Sequence, residues 1–313
     1  VPTTNYENLA LFAQFEFTGI EDLTLTAGVR REDSALDVDD FTTLYSYNGG
    51  QFVRGGNPEF SDTLSNIGAT YQITPQWRVF ANLSEGFSMP DVGRVLRGIN
   101  IPDQDVETFL NLEPIVTENT ELGFEFDNDV FSAQLSYFAS DADFGQRLQA
   151  NADGIYGVMR ERTEIDGYEF RAQWNASMSD VLGLRYANTE GEYDSDDDNR
   201  VDTDLGGSNM SPNRVNLSWE RTWSSQFNTR VQVNVVQDRE FKNAVGVETA
   251  QFDGYTTIDL FAEYEASVGQ LRLGLQNLSN EDYFTYYSQT QGSDSRNFKG
   301  IGRSTSLSWN LQF

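Results

Sequence analysis

The 313-residue chain has no cysteine and no histidine. Without cysteine it has no disulfide framework, no thiolate zinc site and no thiol nucleophile. Without histidine it has no Ser-His-Asp triad, no HExxH helix and no imidazole proton shuttle. Cations are scarce, 21 Lys+Arg against 49 Asp+Glu, for a net charge of −28 and a pI near 4.1. A phosphate backbone would be repelled, so nucleic acid is excluded as a partner. No run approaches the ~18 apolar residues of a membrane helix, and mean hydropathy is −0.52. Aromatics are abundant, with 22 Phe, 14 Tyr and 5 Trp. Acidic disordered chains are poor in such residues, so this one folds around or against something apolar.

Apolar residues recur with period two. Near the end Thr305, Leu307, Trp309 and Leu311 alternate with Ser304, Ser306, Ser308 and Asn310, which is the signature of a strand. The same alternation runs through Leu9–Phe17, Leu23–Val29, Ile67–Ile73, Trp77–Leu83, Leu122–Phe126 and Phe131–Tyr137. It continues through Tyr168–Trp174, Leu182–Tyr186, Val215–Trp223, Val231–Val235, Ile258–Tyr264 and Leu271–Leu275. With the final segment this predicts about thirteen strands and almost no helix. The alternate positions are polar: Gln14 and Glu16, Arg78 and Asn82, Glu121 and Glu125, Glu169 and Arg171, Arg230 and Gln232, Asp259 and Glu263.

Strand length fits a tilted bilayer crossing of about 9–11 residues. Tight turns at 19–21, 74–76, 127–129, 177–180, 224–226 and 266–269 alternate with long polar excursions at 33–62, 86–116, 141–163, 189–211, 239–252 and 284–299. Aromatics such as Phe15, Phe17, Tyr71, Trp77, Phe126, Phe131, Trp174, Trp223, Tyr264, Trp309 and Phe313 gather beside the short turns. Rings with an apolar body and a polar edge belong at the headgroup level. The fold class expected is all-β: an antiparallel transmembrane β-barrel with long outer loops and short periplasmic turns. A soluble carbohydrate-binding sandwich is the alternative, and it would bury the apolar faces against each other.

Several fragments resemble the C-terminal part of the barrel of TonB-dependent outer-membrane receptors. They are Asp22–Arg31, Ser84–Asp91, Glu118–Phe124, Ile165–Glu169, Asp253–Leu260, Leu275–Tyr283 and the closing Gly300–Phe313. Gly86–Gly93 and Phe298–Arg303 are similar to siderophore receptors of the ferric hydroxamate or aerobactin type. The resemblance implies an outer-membrane protein whose whole barrel has roughly 22 strands around a plugged lumen. It implies TonB-coupled uptake of a ferric siderophore, contact with TonB through an N-terminal plug region, lipopolysaccharide as lipid neighbour, and insertion by the barrel assembly machinery. No plug or TonB box is recognisable in 1–313. First and last strands of like direction would also make a parallel seam. The expectation is therefore a barrel portion lacking the plug and first strands. No cofactor is expected, because the ligand brings its own iron.

An anionic ferric chelate needs cationic donors and flat apolar walls. The candidate ligand-binding residues in the long excursions are Arg94, Arg97, Tyr156, Arg160, Tyr286, Tyr287 and Arg296. The acidic run 192–204 spaces Asp194, Asp196 and Asp198 like a calcium loop. It has Asn199 where such a loop needs Gly, and Leu205 where it needs Glu. A solvated acidic loop is the plainer reading. No catalytic pair is legible, so enzyme activity is not expected. A passive pore and a surface-binding barrel are the functional alternatives.

Overall fold

The computed structural model describes residues 2–43, 50–99, 103–109, 112–150, 156–290 and 298–311. Thirteen strands form one antiparallel meander in sequence order. They are β1 (Thr4–Ile20), β2 (Leu23–Val38), β3 (Glu59–Gln72), β4 (Trp77–Ser88), β5 (Ile115–Asp127), β6 (Phe131–Ala142) and β7 (Thr163–Asn175). β8 (Asp180–Tyr193), β9 (Arg214–Ser224), β10 (Phe227–Val236), β11 (Tyr255–Ala266), β12 (Gly269–Gln276) and β13 (Ser304–Asn310) complete it. Among the described residues β1 and β13 each pair on one side only.

The register turns the alternation of each strand into continuous bands. Directly paired neighbours from β4 to β11 form the row Trp77, Phe126, Ala133, Ala172, Leu184, Leu217, Val233, Ile258. The next row, one residue along, is Arg78, Glu125, Gln134, Arg171, Arg185, Asn216, Asn234, Thr257. A shift of one residue in any pair would carry charge into the apolar band, so burial in lipid fixes the register.

Among the described residues the apolar face has no protein partner. Leu9 is 66% exposed, Ile67 58% and Leu307 69%. A sandwich would bury these side chains, and leaving a band of this extent in water is disfavoured. The face suits acyl chains.

Short turns have local determinants. Asp22 takes a left-handed φ of 63° between β1 and β2, and Gly269 a φ of 133° at the start of β12. Asn128 Oδ1 accepts the amides of Val130 and Phe131, and Ser177 Oγ accepts those of Ser179 and Asp180. Beside them Trp77 packs on Phe126 with centroids 4.7 Å apart, and Phe126 meets Phe131 at 6.1 Å. These three rings stand at the turn end, where the aromatic girdle is expected, while Phe313 lies outside the described residues.

At the opposite end two short helices stand in the long excursions, α1 (Val92–Arg97) and α2 (Tyr286–Gln289). Asp91 caps α1 by accepting the Arg94 amide at 3.0 Å, and Thr285 caps α2 through the Ser288 amide. Both are N-capping residues of the favoured types.

Candidate functional site: the loop cap and the lumen wall

The buried apolar side chains lie almost entirely at the long-loop end. One cluster joins Leu36, Val38, Val53, Val95, Leu96, Ile99, Val106 and Leu112, with Phe41, Phe60, Met89 and Val158 packed on it. It therefore unites the excursions after β2, β4 and β6. A second cluster joins Val236, Phe241, Phe252 and Tyr286, which unites the excursions after β10 and β12.

Contacts through the excursion after β8 bridge the two groups, and others tie the second group together. Asn209 accepts the Leu148 amide at 2.8 Å and donates to the Leu148 carbonyl at 3.2 Å. The Lys242 amide donates to Asp204 at 2.6 Å. Gln289 donates to the Asp253 carbonyl at 2.9 Å, and Tyr255 stacks on Tyr283 at 3.9 Å. The excursions thus form one interlocked cap over the end of the sheet.

Arg94, Arg97 and Arg160 fall in the first group. Arg94 lies on α1, 3.4 Å from Asp91, and Arg97 ends that helix. Arg160 donates to the Glu113 carbonyl at 2.8 Å and lies 4.2 Å over the Phe144 ring. Burial lowers its pKa to about 10, opposed by the Glu113 carboxylate. The backbone of Tyr156 pairs with Ala150, while its side chain lies outside the described residues, as does all of Arg296. Tyr286 and Tyr287 fall in the second group. Tyr286 is 8% exposed, edge-on to Phe252 at 4.8 Å, with a buried hydroxyl that has no partner among the described residues. Burial pushes its phenol up to about 12. Tyr287 is 56% exposed. Of the tyrosine pair, Tyr286 is core of the cap and Tyr287 is the surface ring.

Other cap cations are engaged locally. Arg147 holds Glu161 through Nε at 2.6 Å and lies over Tyr193. Arg162 gathers Asp141, Asp143 and Glu164. Arg239 donates to the carbonyls of Thr189 and Ser211. In the acidic run, Asp194, Asp196 and Asp198 bring oxygens within 4.8 Å of one another. Asp194 spends its carboxylate on its own loop, accepting the amides of Asp196, Asp198 and Asn199.

Below the cap, the inner face of the sheet is a polar wall. Arg78 holds Glu125, Arg230 holds Glu220 at 3.4 Å, and Arg272 holds Glu263 at 2.9 Å. Three rings on this face lie against cross-strand glycines in direct register: Phe80 on Gly123, Phe138 on Gly167 and Phe261 on Gly274. Phe80 and Phe138 fill space a Cβ would occupy, whereas at Gly274 that space is taken by Ser306 Oγ and Phe261 makes ordinary contact.

A lipid-facing meander, a polar inner wall and a cap of long loops at one end agree with the family model for "TonB dependent receptor-like, beta-barrel", which matches residues 1–278. The chain belongs to the TonB-dependent receptor β-barrel family. It is an outer-membrane β-barrel chain of that family. It is 24% identical over 349 aligned residues to the ferric aerobactin receptor of Klebsiella pneumoniae, covering 100% of this chain and 45% of that protein. It is 23% identical to the rhizobactin receptor of Rhizobium meliloti (strain 1021), covering 91% and 40%. Among solved structures, the copper transporter OprC superposes with a TM-score of 0.78 at 16% identity, over 96% of this chain and 47% of that one. The chain spans about half the length of the curated relatives it matches.

Proposed function

We propose that the protein of which this chain forms the barrel wall is a receptor that takes up a ferric siderophore across the outer membrane, driven by coupling to TonB. The observation that supports this most directly is the similarity over 91–100% of the chain to the aerobactin and rhizobactin receptors. The geometry is compatible with it: a loop cap meets the ligand outside, and a polar lumen wall lies beneath. Arg94, Arg97 and Arg160, with Tyr156, Tyr287 and Arg296, are the proposed cap contacts for an anionic chelate. Tyr286 supports Tyr287 from within. The iron arrives on its chelator, so the barrel supplies no metal ligand and no catalysis. TonB contact through a plug segment, lipopolysaccharide around the girdle and the barrel assembly machinery complete the proposed partners.

Growth on a panel of ferric siderophores under iron restriction, with and without the gene, tests the reading. Growth restored by a hydroxamate- or citrate-based siderophore, and abolished without TonB, is the expected result. TonB-independent, size-limited conductance in planar bilayers would make the protein a passive pore. Neither uptake nor conductance would leave a surface-binding barrel.

A further inference from the structure

Arg171 on β7 and Arg185 on β8 face each other in direct register on the lumen wall. Cross-strand partners hold their Cβ atoms about 4.5–5.5 Å apart, and like charges so placed repel. Four other arginines of this face show how a lone cation is usually neutralised. Arg30, Arg78, Arg230 and Arg272 each hold a carboxylate. Among the described residues, Arg171 and Arg185 have no ion pair and no side-chain hydrogen bond. Their flanks in the same row are neutral amides, Gln134 and Asn216. Gln134 Oε1 is buried without a partner. Arg214, two residues beyond Asn216 on β9, adds a third cation without an ion pair among the described residues. Two of the three acids in reach are engaged elsewhere, and the third, Glu169, lines a neighbouring hollow with both arginines. Glu125 and Glu220 are held by Arg78 and Arg230, and Glu169, two residues along β7, makes no bridge to either arginine. A cavity of about 480 Å³ opens over the pair.

We infer that the Arg171–Arg185 pair is an anion-holding station on the lumen wall that takes a carboxylate-bearing solute. Two guanidinium groups on register partners can each offer N–H donors to a carboxylate, and the fork-on-carboxylate contact is the one in which arginine binds most strongly. Both arginines are exposed, so water and salt screen much of their repulsion, and a bound carboxylate would remove what is left. The station lies on the turn-end half of β7, four residues from its end, and therefore beyond the cap along the passage. It rests on the uptake reading only in treating the lumen as that passage.

Calorimetric titration of the full chain, refolded in detergent micelles, with citrate tests the station without any transport. Saturable binding that weakens at high salt is expected, with affinity lowered about tenfold or more in R171Q/R185Q. R54Q, at an exposed loop arginine, should leave it unchanged. R171K/R185K, which keeps charge and loses the forks, should fall between. A parallel titration with a tetraglutamate peptide separates sources: tighter citrate supports a dissolved solute, and tighter peptide overturns it in favour of a carboxylate carried on protein. No saturable binding by the wild type, or equal binding by R171Q/R185Q, would overturn the station. Growth failing on every siderophore while citrate binding persists would instead fault the uptake reading alone.

Discussion

Tyr286 and Phe80 illustrate how much a single side chain carries in this molecule. The Tyr286 hydroxyl is buried among Phe241 and Phe252 with no partner among the described residues. Removing an unsatisfied buried hydroxyl is close to neutral or stabilising. Tyr286→Phe should therefore keep or raise unfolding free energy by about 1 kcal/mol in urea titration. The phenol's folded pKa of about 12 lies above its ordinary value of 10. The folded state thus holds the proton more tightly. The stability this gives is complete below pH 10 and is lost as pH rises from 10 to 12. Tyr286→Phe should flatten that part of the alkaline profile; an unchanged profile would mean the phenol is wet. On the wall, a Cβ at Gly123 would lie 2.4 Å from the Phe80 ring and 2.9 Å from the Leu135 carbonyl. Gly123→Ala should cost about 1–3 kcal/mol, and adding Phe80→Ala should recover part of it, since the ring can leave and the carbonyl cannot.

At the scale of the strand, the two faces answer differently to charge. Leu307 lies on the outer face, and Ser306 lies inward beside Gly274. Leu307→Arg should cost about 2–4 kcal/mol near mid-membrane, Ser306→Arg much less. Denaturant unfolding from lipid vesicles measures both, and equal costs would mean the faces are reversed. The strands were legible in the sequence because each carries its own apolar stripe, and paired stripes agree across every register. Their outer ends were not. The excursion expected at 33–62 is shorter, since β2 reaches Val38 and β3 begins at Glu59. Above the acyl chains nothing requires one face to be oily. Asp33, Glu118, Asp141 and Glu164 continue the outward parity as carboxylates, and the pattern vanishes while the ladder goes on. The cap was illegible for a related reason. Aromatics in long loops look alike in sequence, yet Tyr286 is core and Tyr287 is surface. Arg171 was visible as a polar position and Arg185 went unremarked, and only the pairing register sets them opposite each other.

Across the whole molecule, the cap depends on a few contacts between excursions that are far apart in sequence. The Asn209 side chain makes two bonds to the Leu148 backbone. Asn209→Ala should weaken that junction by about 1–3 kcal/mol and speed proteolysis within 141–163, while the sheet stays resistant. Cleavage no faster than in wild type would mean the apolar clusters hold the cap unaided. Those clusters have a thermal consequence. The sheet is solvated by lipid or detergent on one side and water on the other, and its side chains do little burying against protein. The closely packed interior sits in the excursions. Heating should accordingly produce two separate melting events, a low one that frees the outer surface and a high one that unzips the ladder. Between them lies a temperature window in which the membrane portion stands intact with its entrance undone.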